Sequence, residues 1–170
     1  MVITASKNGN IQRIEELLKK RADINYQNNR GWTALMLASE YSNNTSSLDT
    51  VKYLIDKGAD VNFQDNNGYN ALMFASKYSN DTSSLDTVKY LIDKGADINT
   101  KNNIGKTALM YSSQYSNRTS SLDTVKYLIE KGADINAKNN IGWAPLMLAS
   151  KYSNRISSLD TVKYIIEKGA

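Results

Sequence analysis

Glycines at Gly31, Gly68, Gly105 and Gly142 form one series, and Gly58, Gly95, Gly132 and Gly169 a second, each stepping by 37 residues. Only Gly9 falls outside them. A fixed period of this size constrains the fold more than any other feature. It marks a stacked array in which each unit buries its apolar face against its neighbours, not around one central core. Functional specificity must then lie in what changes between copies.

The local code of one unit is legible in Trp32 to Asn62, which runs WTALMLASEY, SNNTSS, LDTVKYLIDKGADVN. Leu35, Met36, Ala38 and Ser39 give a short first helix one mostly apolar stripe. Leu48, Val51, Leu54 and Ile55 fall at helical spacing and predict the core face of a second. Ser46 and Asp49 are read as an S-x-x-D cap for that helix, repeated at Ser83/Asp86, Ser120/Asp123 and Ser157/Asp160. Gly58 stops the helix where positive φ is needed. The Asn- and Asp-rich stretch before the next glycine reads as an extended turn into the next unit.

G-x-T-A-L-M-x-A-S followed by V-K-Y-L-I-x-K-G-A-D-(V/I)-N closely resembles the ankyrin repeat along the whole chain. The resemblance implies an all-α solenoid of stacked helix pairs joined by extended hairpin-like turns, forming a single domain over 1–170. Its units are an N-terminal capping unit 1–25, full repeats 26–62, 63–99 and 100–136, and an incomplete last repeat 137–170. Ankyrin units usually have about 33 residues. Here SNNTSS and its copies lengthen the link between helices, and the inserts are expected to stack as their own ladder. Met36, Met73, Met110 and Met147 stand where the family usually has histidine, and only Pro145 keeps its proline. A methionine packing contact is expected in place of the lost polar link. Such near-identical units with inserts are similar to those of large DNA viruses and some intracellular bacteria. The last unit stops at Gly169-Ala170, where other copies continue Asp-Ile-Asn, which reads as a chain that continues or an excised segment. Val162, Ile165 and Ile166 are then expected to be incompletely covered.

Composition narrows the chemistry. With no Cys and no His, thiol and imidazole catalysis and most transition-metal sites are excluded, and no cofactor or metal is implied. The polar start MVITASKNGN does not read as a signal peptide, and no apolar run is long enough for a membrane span. Cytoplasmic residence is the expectation, in the host cell if the chain is viral or a secreted effector, with the nucleus left open. Asn43-Asn44-Thr45, Asn80-Asp81-Thr82 and Asn117-Arg118-Thr119 match the glycosylation acceptor but read as turn formers in the inserts.

Comparison of the copies locates the variation. From Ser46 to Asn62 the units barely differ, whereas the turn and first helix diverge. The position before the turn glycine runs Arg30, Asn67, Ile104, Ile141, and the one after it Trp32, Tyr69, Lys106, Trp143. A middle helix position runs Leu37, Phe74, Tyr111, Leu148, and the helix end Glu40, Lys77, Gln114, Lys151. By resemblance, these turn tips and inner helices face a partner, and exposed aromatics there have hot-spot chemistry. Self-packing of a side-chain ladder is the competing account. The site expected is Arg30, Trp32, Glu40, Asn67, Tyr69, Lys77, Ile104, Lys106, Gln114, Ile141, Trp143 and Lys151.

The function so read is a non-enzymatic module, monomeric, binding a protein or peptide partner. The alternative is a passive spacer or nucleic-acid-binding segment of a longer polypeptide. Net charge +4 permits phosphate contacts, but Lys52, Lys89, Lys126 and Lys163 each follow an aspartate by one helical turn, which weakens that alternative. The family resemblance also implies asparaginyl hydroxylation as a candidate modification, at Asn62, Asn99 and Asn136, with Leu54, Leu91 and Leu128 eight residues earlier.

Overall fold

A computed structural model describes all 170 residues as ten helices and no strand. They form five pairs: α1 (Val2–Lys7) with α2 (Ile11–Lys19), α3 (Ala34–Glu40) with α4 (Leu48–Asp56), and α5 (Ala71–Tyr78) with α6 (Leu85–Asp93). The series continues with α7 (Ala108–Tyr115) and α8 (Leu122–Glu130), then α9 (Pro145–Tyr152) and α10 (Leu159–Glu167). The first helix of each unit packs chiefly on the first helix of the next, and each second helix chiefly on its own partner. No helix is long and apolar enough to cross a membrane.

The second helices bury the face that their spacing predicts. Val51, Leu54, Val88, Leu91, Val125, Leu128 and Ile165 are fully buried in one core cluster that runs through all five units. Ile14 does the same in α2. In the last unit Ile166 is 55% exposed and Val162 partly buried, but Ile165 is fully buried, which corrects the expectation that it is incompletely covered. The first helices α3, α5 and α7 are buried on nearly all sides, and α3 hides every residue from Ala34 to Ser39, whereas α9 buries only Pro145, Leu148 and Ala149. Such a helix has little solvent-facing stripe left, which suits short helices sandwiched between neighbouring units.

The first-helix caps differ from a simple loss of the histidine link. Thr33, Asn70 and Thr107 accept from the backbone N–H of Met36, Met73 and Met110 at 3.3, 2.9 and 3.3 Å. In α3 the Met36 Sδ also accepts from the Thr33 N–H at 3.4 Å, so a thioether closes the reciprocal cap. Met36 therefore contributes a weak polar contact as well as packing, Met73 and Met110 are buried, and Met147 is 51% exposed, which corrects the packing contact expected of it. Ala144 offers no side-chain cap, and Pro145 removes one of the N–H groups that would need it.

The cap of the second helix lies one residue later than the sequence pattern indicates. Ser47, in extended backbone, accepts from the Thr50 N–H at 3.2 Å, and Ser84, Ser121 and Ser158 repeat the contact. The S-x-x-D assignment is thus corrected to S-x-x-T. Asp49 instead faces solvent beside Lys52. Ser83, Ser120 and Ser157 point inward and meet Ser42, Ser79 and Ser116 of the preceding unit at 3.2, 3.1 and 3.1 Å. Ser42 and Ser79 also reach Thr87 and Thr124 at 2.6 Å, and Thr161 donates to Ser116 at 2.7 Å. The inserts form the expected ladder. Backbone N–H groups of Asn43, Asn80 and Asn117 donate to Thr82, Thr119 and Ile156 carbonyls of the next copy at 2.9, 3.0 and 3.1 Å.

Gly58 and Gly31, one from each series, are demanded by different causes, and Gly142 has the open space of Gly58. Gly58 has φ +93° with open space where a Cβ would sit, so only the helix-stopping conformation demands glycine. Gly31 combines φ +78° with the Asn66 backbone N only 2.6 Å from where a Cβ would sit. There the next turn packs directly on the glycine, and Asn66 N–H donates to the Arg30 carbonyl at 3.1 Å.

Candidate inner face

The turn that carries the variable column is built by a side chain four residues upstream. Asn28, Asp65, Asn102 and Asn139 accept from the backbone N–H of Trp32, Tyr69, Lys106 and Trp143 at 3.1, 2.8, 2.8 and 2.9 Å. The same oxygens bind the N–H two residues on in the turn, at Arg30, Asn67, Ile104 and Ile141. This side-chain-to-backbone closure fixes the tip and lets the residues on either side of the glycine vary freely. The sequence diversity at these positions has its physical basis here.

The expectation of open exposure along the column is only partly met. Arg30, Asn67, Ile104, Ile141 and Lys151 are exposed, and Ile104 and Ile141 are 53% and 73% accessible. Trp32, Glu40, Tyr69, Lys77, Lys106 and Trp143 are half-buried. Gln114 is buried, which corrects its placement among the exposed residues: its Oε1 accepts from Lys106 Nζ at 2.7 Å and it lies under that side chain. Half-burial of the aromatics follows from packing between units. Trp32 meets Phe74 edge-on at 6.1 Å, Phe74 stacks on Tyr69 at 5.3 Å, and Tyr69 lies 5.3 Å from Tyr111. Trp32 Nε1 donates to Asp65 Oδ2 at 2.9 Å.

Self-packing, the competing account of the aromatics, is therefore real for Trp32 and Tyr69, the first two members of the column. Phe74 and Tyr111 belong to this ladder, although sequence comparison marks them only as a variable helix position. Their signal was that variability combined with aromatic character. Trp143 differs from the others, for its ring carries Lys151 Nζ at 4.2 Å and no other aromatic ring packs on it. Arg30 lies over Trp32 in a similar way, at 5.0 Å.

Charge on this face is partly desolvated. Burial pushes the Glu40 carboxyl above its usual range against the pull of Lys77 and Lys7. Burial holds Lys106 below the ordinary lysine value, reinforced by the Lys77 charge. Burial, with the bond to Tyr69, keeps the Tyr111 hydroxyl protonated far above the ordinary phenol range. An open cavity of about 370 Å³ adjoins the column at its first step, lined by Met1, Tyr26, Asn28, Asn29, Arg30 and Trp32.

The candidate modification sites lie in the turns after the second helices, and all three are exposed. Asn62 and Asn99 clamp successive units. Their Nδ2 groups donate to Gly95 and Gly132 carbonyls at 3.0 and 3.1 Å, and their Oδ1 atoms accept from Asp97 and Asp134 N–H at 2.9 and 2.8 Å. Asn136 shows only the local contact of its N–H with Asp134.

The comparisons with known proteins agree with this architecture. No curated protein matches the chain. A family model described as ankyrin repeats (3 copies) matches residues 2–102 and 84–170, together nearly the whole length. Ankyrin repeats are in general protein–protein interaction modules and are generally non-enzymatic. With ten paired helices in register with those matches, the chain belongs to the ankyrin repeat family.

Proposed function

We propose that this chain is a non-enzymatic interaction module that holds one protein or peptide partner along its turn tips and first helices. The observation that carries this reading is the contrast between its two faces. The inner column offers apolar tips at Ile104 and Ile141, a rigid aromatic ladder behind them, and lysines without carboxylate partners. On the outer helices Lys52, Lys89, Lys126 and Lys163 lie 3.5, 3.3, 4.0 and 3.9 Å from Asp49, Asp86, Asp123 and Asp160. Locally neutralised charge of that kind gives little attraction to a phosphate backbone. Rigid aromatic and aliphatic area with few torsions left to freeze is what partner anchors require.

Site-specific photo-crosslinking tests the assignment. A photoreactive residue placed at Ile104 or Ile141 is expected to give discrete protein adducts from cell extract, and one placed at Lys52 or Lys89 is not. Adducts from the outer positions alone would transfer the partner surface to the second helices. Adducts to nucleic acid would replace the reading with the alternative one.

A further inference from the structure

Two cations of the inner face meet at one place. Lys77 on α5 and Lys106 in the turn before α7 belong to neighbouring units, and neither has a carboxylate within 4.0 Å, unlike the four outer lysines. Both lie against one ring: Lys77 Nζ is 5.9 Å and Lys106 Nζ 5.2 Å from the Tyr111 centroid. Lys77 also lies 4.8 Å from Tyr78 and 5.4 Å from Tyr115. Two half-buried ammonium groups sharing one aromatic ring repel each other. Ring faces compensate lost hydration only in part, and an anion between the two ammonium groups would relieve their repulsion.

A second observation points to the same ligand. Gln114 is 94% buried, by its 6% accessibility, and spends its Oε1 on Lys106. Its Nε2 has no protein acceptor and is open to solvent, so this neutral donor beside the two cations is free to meet a ligand. The cluster does not continue along the stack. Glu40 precedes and Gln114 follows Lys77 in its column, Lys106 stands between Tyr69 and Trp143 in its own, and the face's other cations, Arg30 and Lys151, lie apart from the pair, each over its own tryptophan. A polyanion would need cations repeated along its path; a single anionic group needs only this pair.

We infer that Lys77, Lys106 and Gln114 receive one carboxylate side chain from an acidic segment of the partner, beside the Tyr69–Tyr111 pair. The inference rests on the inner face being the partner surface, and it names that partner's chemistry. Titration of the 170-residue protein with fluorescein-labelled oligoglutamate is expected to show binding that weakens with salt, with oligoglutamine as the silent control. Lysine Nζ resonances of Lys77 and Lys106 should shift in the unsubstituted protein. Lys77→Met with Lys106→Met should weaken binding about tenfold or more, and Lys77→Arg with Lys106→Arg should keep most of it. Lys52→Met with Lys89→Met should leave it unchanged.

No oligoglutamate binding, or binding that ignores the Lys77 and Lys106 changes, would overturn the carboxylate receptor. Tighter binding of oligothymidylate through the same lysines would overturn it in favour of nucleic acid. If the crosslinked partner from Ile141 forms equally well with the methionine variant, the inner face stands and only the receptor fails.

Discussion

The Tyr111 hydroxyl donates a 2.6 Å hydrogen bond to the Tyr69 hydroxyl, 42 residues earlier in the chain and one unit back in the stack. It also accepts from Asn102 Nδ2 at 2.9 Å. A polar chain thus runs from a buried turn amide, through a first helix, to the variable column of the preceding unit. Neither tyrosine is free to act as an independent contact residue. On this face a first helix of one unit fixes a turn-tip side chain of the unit before it, and such rigidity would lower the entropy cost of the proposed partner contact.

Tyr111→Phe should therefore destabilise the fold more than a surface phenol would. It leaves Asn102 Nδ2 buried without its acceptor, a cost of about 1–3 kcal/mol, measurable as a lower urea midpoint. The same residue sets an alkaline limit. Its folded pKa is raised, chiefly by burial, so the folded state retains a proton that the unfolded state loses. That stability is present below the unfolded tyrosine pKa of about 10 and declines as pH rises above it. The decline should be shallower in Tyr111→Phe than in the parent when both are melted on either side of that pH.

Adjacent serines should behave in opposite ways. Ser47 caps α4 through the Thr50 N–H, and Ser47→Ala should cost about 0.5–2 kcal/mol. Ser46 Oγ is buried with no hydrogen-bond partner, because the first unit lacks the insert whose serine would meet it. Ser46→Ala should be neutral or slightly stabilising, since it removes an unsatisfied hydroxyl. Ser83→Ala, at the equivalent position one unit on, should destabilise by losing its contact with Ser42. Urea unfolding of the three single variants checks the order; a costly Ser46→Ala would restore the capping role that the S-x-x-D pattern assigns to it.

Legibility divided along physical lines. Val51, Leu54 and the glycine stops were readable because helical periodicity and positive φ are local properties. The insert ladder was readable because a fixed period places identical segments side by side. The cap register was not, since Ser46 and Ser47 are the same residue type and only backbone conformation distinguishes them. Nor was the burial of Gln114 or the Trp32–Phe74 contact, which depend on how neighbouring units approach. The first-helix aromatics Phe74 and Tyr111 stood out as variable, but their place in the ladder needed three dimensions.

Gly58 and Gly31 predict unequal costs for the same substitution. Gly58→Ala carries only the penalty of a left-handed conformation, about 1–2 kcal/mol. Gly31→Ala adds a Cβ that would lie 2.6 Å from the Asn66 backbone N, so the contact between successive turns must open. Chemical denaturation should show Gly31→Ala as the more destabilising change. Equal losses would mean that the turns separate easily and that the tip ladder adds little cohesion.

The two tryptophans of the inner column should separate folding from recognition. Trp32 is tied into the stack by its 2.9 Å bond to Asp65 and its edge contact with Phe74, so Trp32→Ala removes both and leaves a gap in the ladder. A loss of about 3 kcal/mol or more is usual when a well-packed aromatic is truncated, though half-burial places Trp32 toward or below the lower end. Trp143 has no hydrogen bond from its indole and supports the exposed Lys151 at 4.2 Å. Trp143→Ala should therefore cost less stability while weakening partner capture strongly, by about 2 kcal/mol or more if it is a central anchor. Thermal melts and partner binding measured on both variants make the comparison. A Trp143→Ala protein that binds normally would remove this tryptophan from the recognition surface, and one that unfolds as readily as Trp32→Ala would assign it to the stack instead.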